Sequence, residues 1–368
     1  MSGGAQEVIT FELDGVDVDA YQGETIWQAS KRHATDIPHL CYADEPGYRA
    51  DGNCRACMVE IEGERVLAAS CIRTPAPGMK VTTNNERAEH ARAMVMELLV
   101  ADQPARDVAH DGGSRLWQWA ERMSVTESRL PRRARQPAPD PSHTAMRVNL
   151  DACIHCNLCV RACREVQVND VIGMAYRGHG AKIVFDFDDP MGSSTCVACG
   201  ECVQACPTGA LMEASLVDEK GVGFEIALEE VDSLCPYCGV GCQMDLNVDP
   251  EGNDGRGKVV KVTSPPVGTL PNDGNLCVKG RFAYNFIDHE DRLTTPLIRG
   301  EDGDLHPASW DEALERAATG LLGVKERHGA DALGFVSSSR CTGEENFLIQ
   351  KFARAVLGTN NIHSCAAT

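Results

Sequence analysis

Residues 153–163, CIHCNLCVRAC, and residues 196–207, CVACGECVQACP, repeat one cysteine rhythm, C-x2-C-x2-C-x3-C. Each run packs three thiols into a tight turn and points a fourth elsewhere. A single zinc usually takes two C-x2-C pairs from separate knuckles. A cubane offers four separate iron corners, so three thiols of one loop each take a corner and the fourth serves the neighbouring cluster. The spacing therefore predicts two [4Fe-4S] clusters with exchanged ligands. Cys153, Cys156, Cys159 and Cys206 hold one; Cys163, Cys196, Cys199 and Cys202 hold the other. Pro207 completes the second repeat, whereas Arg164 stands where the first would carry proline.

Working outward, residues 235–242, CPYCGVGC, leave a wider gap before their third cysteine and take a last ligand from Cys277. That pattern suits one isolated cubane on Cys235, Cys238, Cys242 and Cys277. Lys279 lies two residues further on and reads either as a counter-ion or as a bridge to something beyond. Upstream, the close pair in GNCRAC (residues 52–57) is flanked at a distance by Cys41 and Cys71. VITFEL and VDVDA read as strands around Asp14-Gly15, GETIWQASKRH as a helix, and MVEIEG and RVLAA as a second hairpin at Glu62-Gly63. Hairpin, helix, ligand loop and hairpin is the order of a small β-grasp ferredoxin. Cys41, Cys54, Cys57 and Cys71 then hold one [2Fe-2S] cluster, and Gly52 lets the backbone approach it closely. A zinc site or an unoccupied relic is the alternative here. Sixteen of the 18 cysteines are thus assigned; Cys341 and Cys365 read as small buried hydrophobes.

Composition narrows the rest. The 368 residues carry 35 Lys+Arg against 54 Asp+Glu, a formal charge of −19, which argues against phosphate-backbone binding. No apolar run approaches a membrane span and no secretory or twin-arginine signal opens the chain, so a cytoplasmic location is expected. Thiols there stay reduced, which favours metal sites over disulfides.

CPYCGVGC, then NLCVKGRFAYNFIDHEDRLTTPLIR (275–299), then SSSRCTGEENFLIQKFARAVLGTNN (337–361) resembles the start of the molybdenum or tungsten bis-pyranopterin oxidoreductases. Cytoplasmic NAD-linked formate dehydrogenase α subunits are the specific likeness. The preceding modules are similar to the extension shared with the large peripheral-arm subunit of complex I and with iron-only hydrogenases. The resemblance implies a pterin beyond the fourth cysteine set, with the electron path passing through Lys279. It implies a flavin- and NAD-binding diaphorase partner, and a bis-pyranopterin guanine dinucleotide held only with sequence beyond residue 368. By this alignment the Cys or selenocysteine metal ligand follows Thr368 directly, so the chain alone is expected to relay electrons without catalysing formate oxidation. Family members usually carry one further cubane on a histidine and three cysteines. Gln103 stands where that histidine falls and no cysteine separates Cys71 from Cys153, so that cluster is expected to be absent. His90 and His110 then read as surface histidines. A complex I subunit and a stand-alone ferredoxin-like carrier remain the alternatives.

The expected fold class is modular α+β. It comprises a β-grasp domain (1–83), a helical segment (84–124), a linker (125–146), a two-cluster ferredoxin domain (147–222), a small cluster domain (228–285) and the start of an α/β domain (286–368). On its linker the first domain is expected to project as a contact or side branch. Ser309 with Glu312 predicts a capped helix presenting Trp310, Ala313, Leu314, Ala317 and Leu321 as its apolar face; Thr342 with Glu345 predicts a second. The turn at Ser337 to Ser339 between strand and helix is either a phosphate site or plain capping.

Overall fold

The computed structural model describes residues 8–134, 136–224 and 226–365, without the Cys365 side chain. At the N-terminus β1 (Val8–Leu13) turns at Asp14-Gly15 into the antiparallel β2 (Val16–Tyr21). Strand alternation places Phe11 and Leu13, with Val18 and Ala20, on the inner face. Onto that face α1 (Ile26–Arg32) lays Ile26, Trp27 and Ala29. Burying a side chain such as Phe11 contributes about 1.5–3 kcal/mol. A capping box starts the helix: the Thr25 hydroxyl accepts from the Gln28 amide and the Gln28 side chain accepts from the Thr25 amide. β3 (Met58–Ile61) leaves the close cysteine pair, β4 (Ala68–Ala69) leads into Cys71, and β5 (Lys80–Thr82) takes the middle of the order β2-β1-β5-β3-β4. β5 runs parallel to β1 and antiparallel to β3, so the sheet closes around α1 as a β-grasp.

Contrary to expectation, the β-grasp unit does not project on a linker. α2 (Glu86–Val100) and α3 (Arg115–Arg122) supply Met96, Val100, Leu116 and Trp117 to a core that also holds Leu40, Cys41, Tyr48 and Cys54 from the first ligand loop. Leu158, Cys159 and Cys202 of the two-repeat module complete the same core. The segment over 125–146 is pinned rather than free. Arg129 grips the Glu97 carboxylate at 2.7–2.8 Å, and the Arg133 amide donates to Asp102 at 2.9 Å. Proline content predicted irregular backbone there but could not report these side-chain anchors.

In the two-repeat module β6 (Met146–Val148) pairs with β9 (Leu211–Glu213), closing the module's two ends on each other. Between them lie α4 (Leu158–Arg161), the hairpin β7 (Ile172–Ala175) with β8 (Lys182–Phe185), and α5 (Glu201–Ala205). A third unit is the antiparallel sheet β10 (Glu229–Leu234), β11 (Gln243–Asp249) and β12 (Lys258–Thr263), with the helix Val278–Phe282 packed against β12.

Beyond it, capping boxes at Ser309/Glu312 and Thr342/Glu345 open the helices Trp310–His328 and Gly343–Lys351, and the strands Phe335–Ser338 and Ile362–Cys365 pair in parallel. The expected apolar stripe of the first helix does not form a core face: Trp310 is 69% and Leu314 60% exposed. A helix in an α/β layer buries its stripe only against an opposing layer. Among the described residues this unit supplies one two-stranded parallel sheet. No helix of the described residues is long and apolar enough to cross a membrane.

Candidate metal-binding thiol sets

The sixteen thiols converge in four groups. In the first, all four cysteines are buried. The Cys54 and Cys71 thiols donate to Cys41, joined by the Cys54 and Asn53 amides, and together hold the Cys41 thiol far below its ordinary value. Cys54 and Cys71 are driven up by that same contact and by burial, while the Cys71 thiol draws Cys57 down to about 7. Gly52 has φ +62°, and a Cβ there would meet Ile72 Cδ1 at 3.1 Å, so close packing of the loop needs this glycine.

The two repeats fold as near copies. His155 and Asn157 in the first, like Ala198 and Gly200 in the second, take left-handed φ of +55° to +75°. These conformations curl the backbone so that the amide two residues on faces the cysteine sulfur. Ala198 donates to Cys196 at 3.4 Å, and His155, Leu158 and Glu201 serve Cys153, Cys156 and Cys199 likewise. Cys206 reaches back to the first repeat, where it and Cys153 act on Cys156 and Cys159. Cys163 instead lines a small cavity with Cys196, Cys199 and Cys202. Burial, then neighbouring thiols, pushes Cys156, Cys159 and Cys202 up, and Cys153 up to about 11. In the fourth group Cys235 and Cys242 face Cys238 and Cys277, the Tyr237 amide serves Cys235, and Cys277 is exposed.

Crowded buried thiols resist losing their protons, because each added charge sits in a poor solvent beside its like. A cationic iron core removes that penalty, and ring amides aimed at sulfur stabilise the thiolates that bind it. The donor sets thus fit iron-sulfur groups chemically. Among the described residues no group of three or more His, Cys, Asp or Glu is arranged to hold a single metal ion.

Other candidates land differently. Lys279 is exposed, and its side chain makes no hydrogen bond or ion pair among the described residues. His90 is exposed, but His110 is buried: Nε2 meets Asp151 at 2.9 Å and Nδ1 meets the Gly221 carbonyl. Gln103, also buried, donates to the Ala152 carbonyl at 3.1 Å, next to Cys153. Cys341 is exposed rather than a buried hydrophobe. At the Ser337 to Ser339 turn, the Asn346 side chain bonds to the Ser337 hydroxyl and the Ser338 carbonyl, while Thr342 with Glu345 caps the helix that follows.

Three contacts between charged or phenolic groups escaped the sequence reading. Tyr48 donates to Glu201 at 2.7 Å, Arg281 meets the other Glu201 oxygen at 3.5 Å, and Arg161 pairs with Asp51. All but Asp51 are nine-tenths or more buried. For Glu201 and Arg161 a signal lay in comparing the repeats: Glu201 occupies the place of Leu158, and Arg161 that of Gln204, within turns that otherwise match.

Comparison with known proteins follows this order along the chain. A 2Fe-2S iron-sulfur cluster binding domain matches residues 6–86 and a 4Fe-4S dicluster domain residues 152–210. The molybdopterin oxidoreductase Fe4S4 domain matches residues 228–289, and the molybdopterin oxidoreductase domain residues 292–368. The chain belongs to the iron-sulfur molybdopterin oxidoreductases. Within this family it is 31% identical to "Probable oxidoreductase YjgC" of Bacillus subtilis, over 97% of this chain and 39% of that protein. It is also 31% identical to "Putative formate dehydrogenase YrhE" of the same organism, over 97% of this chain and 40% of that one. The chain therefore spans about two fifths of the length of these relatives. Among solved structures, a chain of an NAD+-reducing [NiFe]-hydrogenase in the H2-reduced state aligns with TM-score 0.54 and 26% identity, covering 60% of this chain and 90% of its own.

Proposed function

We propose that this chain is the electron-carrying portion of a formate dehydrogenase α subunit, with one [2Fe-2S] and three [4Fe-4S] clusters on the four thiol sets. The clusters, when bound, each accept and release one electron without bond making. The observation that carries the reading is the crossed convergence of Cys206 on the Cys153 set and of Cys163 on the Cys196 set, beside a core that also takes in Cys41 and Cys54 of the first set. This chain's residues space the stations, exclude water from the inner ones and aim amides at their sulfurs. Exposed Lys279, two residues after Cys277, is the group assigned to the path between the fourth set and a pterin. A flavin- and NAD-binding diaphorase as partner is supported by the likeness to a chain of an NAD+-reducing hydrogenase. Formate is supported by the relatives' names.

The test is anaerobic reconstitution with iron and sulfide. A brown protein with about 14 irons per chain, and paramagnetic signals of one two-iron and three four-iron centres after dithionite, is the expected result. A colourless protein carrying zinc refutes it. Co-expression with its downstream coding sequence and assay of formate-dependent NAD+ reduction tests the substrate and partner.

A further inference from the structure

The helix Val278–Phe282 carries two cations on opposite faces, because residues two apart on a helix lie about 200° apart. Lys279 faces out. Arg281 faces in and is 1% exposed, among the largest fully buried side chains of the protein. Its own amide donates to the Cys277 carbonyl at 3.0 Å, tying it to a ligand of the fourth set. Its Nε donates to the Cys199 carbonyl at 2.7 Å, a ligand of the second repeat. Its remaining nitrogens reach Gln204 Oε1 at 2.6 Å, Ser264 Oγ at 2.8 Å and Glu201 Oε2 at 3.5 Å. Gly200 makes room for this side chain: a Cβ there would overlap Arg281 Cδ and come within 2.8 Å of its Nε and of Phe282. The ligand turn and the arginine are thus built around each other.

Burying a guanidinium costs several kcal/mol unless nearly every donor is met, and here the donors are spent on the seam between two thiol sets. A structural staple between domains could use apolar side chains at lower cost. What only a fixed cation offers is a local field and a rigid hydrogen-bonded path.

Resting on the relay reading above, we propose that Arg281 is the positioning residue joining the Cys235, Cys238, Cys242 and Cys277 set to the Cys163, Cys196, Cys199 and Cys202 set. It carries the hydrogen-bonded path from Cys277 to Cys199 and biases an arriving electron towards the second repeat. One electron leaves the first of these sets and one arrives at the other; Arg281 exchanges neither proton nor bond. A cation beside Cys199 favours the reduced, more negative state of its centre, so removing it makes that centre harder to reduce.

The whole chain is reconstituted anaerobically and titrated redox-wise under paramagnetic resonance. Wild type must first show its three four-iron signals; their lack refutes the relay reading itself and not this assignment. Arg281→Gln is expected to shift electron partition away from the Cys163 set at least tenfold, a midpoint lowered by about 59 mV for a one-electron couple. The Cys41 and Cys153 sets should be unmoved. Arg281→Lys, which keeps the charge, should restore most of the wild-type midpoint. Glu201→Gln removes the countercharge and leaves the guanidinium, so it should move the same midpoint upward. If Arg281→Gln does not load, the double variant Arg281→Gln/Glu201→Gln, free of an unpaired buried charge, is compared with Glu201→Gln alone, below whose midpoint it should fall by the same step. Loaded variants with unchanged midpoints, or an Arg281→Lys shift as large as that of Arg281→Gln, overturn the proposal and leave Arg281 a staple.

Discussion

Tyr48→Phe isolates the contact by which the first ligand loop is fastened to the second repeat. The Tyr48 hydroxyl donates to Glu201 Oε1 at 2.7 Å, with Tyr48 3% and Glu201 5% exposed. Burial and the Glu201 carboxylate push the phenol above its ordinary value, so it remains a donor at any physiological pH. The ring's packing survives in the variant, while a buried carboxylate oxygen loses the phenol's hydrogen bond. A hydrogen bond to a charged acceptor is worth about 1.5–3 kcal/mol. At 1.4 kcal/mol per decade, the fraction of time the loop stands away from the repeat should rise roughly 10- to 150-fold. Amide hydrogen exchange over residues 42–56 and 198–206 reads that opening directly. Tyr21→Phe serves as control, since the exposed Tyr21 ring lies only beneath Arg32. Exchange that is unchanged in Tyr48→Phe at equal iron content would refute the docking role.

Three further outcomes are expected. Cys206→Ser should abolish the signal of the centre on Cys153, Cys156 and Cys159 while sparing the one on Cys196, Cys199 and Cys202, and Cys163→Ser should do the reverse; loss following sequence proximity instead would overturn the exchange. Gly52→Ala should cost about 1–2 kcal/mol from its positive φ, lowering the melting of the two-iron visible band by several degrees. For His110, burial pulls the imidazole down, but the Asp151 carboxylate and Gly221 carbonyl outweigh it and hold it above its ordinary value. Its stabilisation, about 1 kcal/mol, is full below about pH 6.5 and fades as pH climbs through the raised value. Denaturation midpoints across pH 6 to 8.5 should show that slope in wild type and not in His110→Gln.

The modular order and most secondary structure were legible because their determinants are local. Asp14-Gly15 makes a turn by itself, Thr25 with Gln28 caps a helix by itself, and sixteen cysteines announce four sets by spacing alone. What stayed hidden is what distant residues do to one another. His110 reads as a surface residue until Gly221 and Asp151 close on its ring from far along the chain. The prolines after Ser128 read as a free linker because Glu97 and Asp102, which anchor the arginines there, lie a helix away. The helix at Trp310 read as core-facing from its period, yet a stripe records only readiness to be covered. Arg281 carries no local sign of burial, and only Gly200 opposite shows why it turns inward.

The swap of Cys163 and Cys206 has a consequence for assembly. On the proposed cluster assignment each half of the duplicated stretch turns only three of its four sulfurs to its own centre, so each waits on the other's last residue before its mineral can be sealed in. A nascent chain that has emerged only through Cys163 can capture metal loosely at best. The same assignment makes maturation of both centres a single expected event, gated by the arrival and folding back of residue 206.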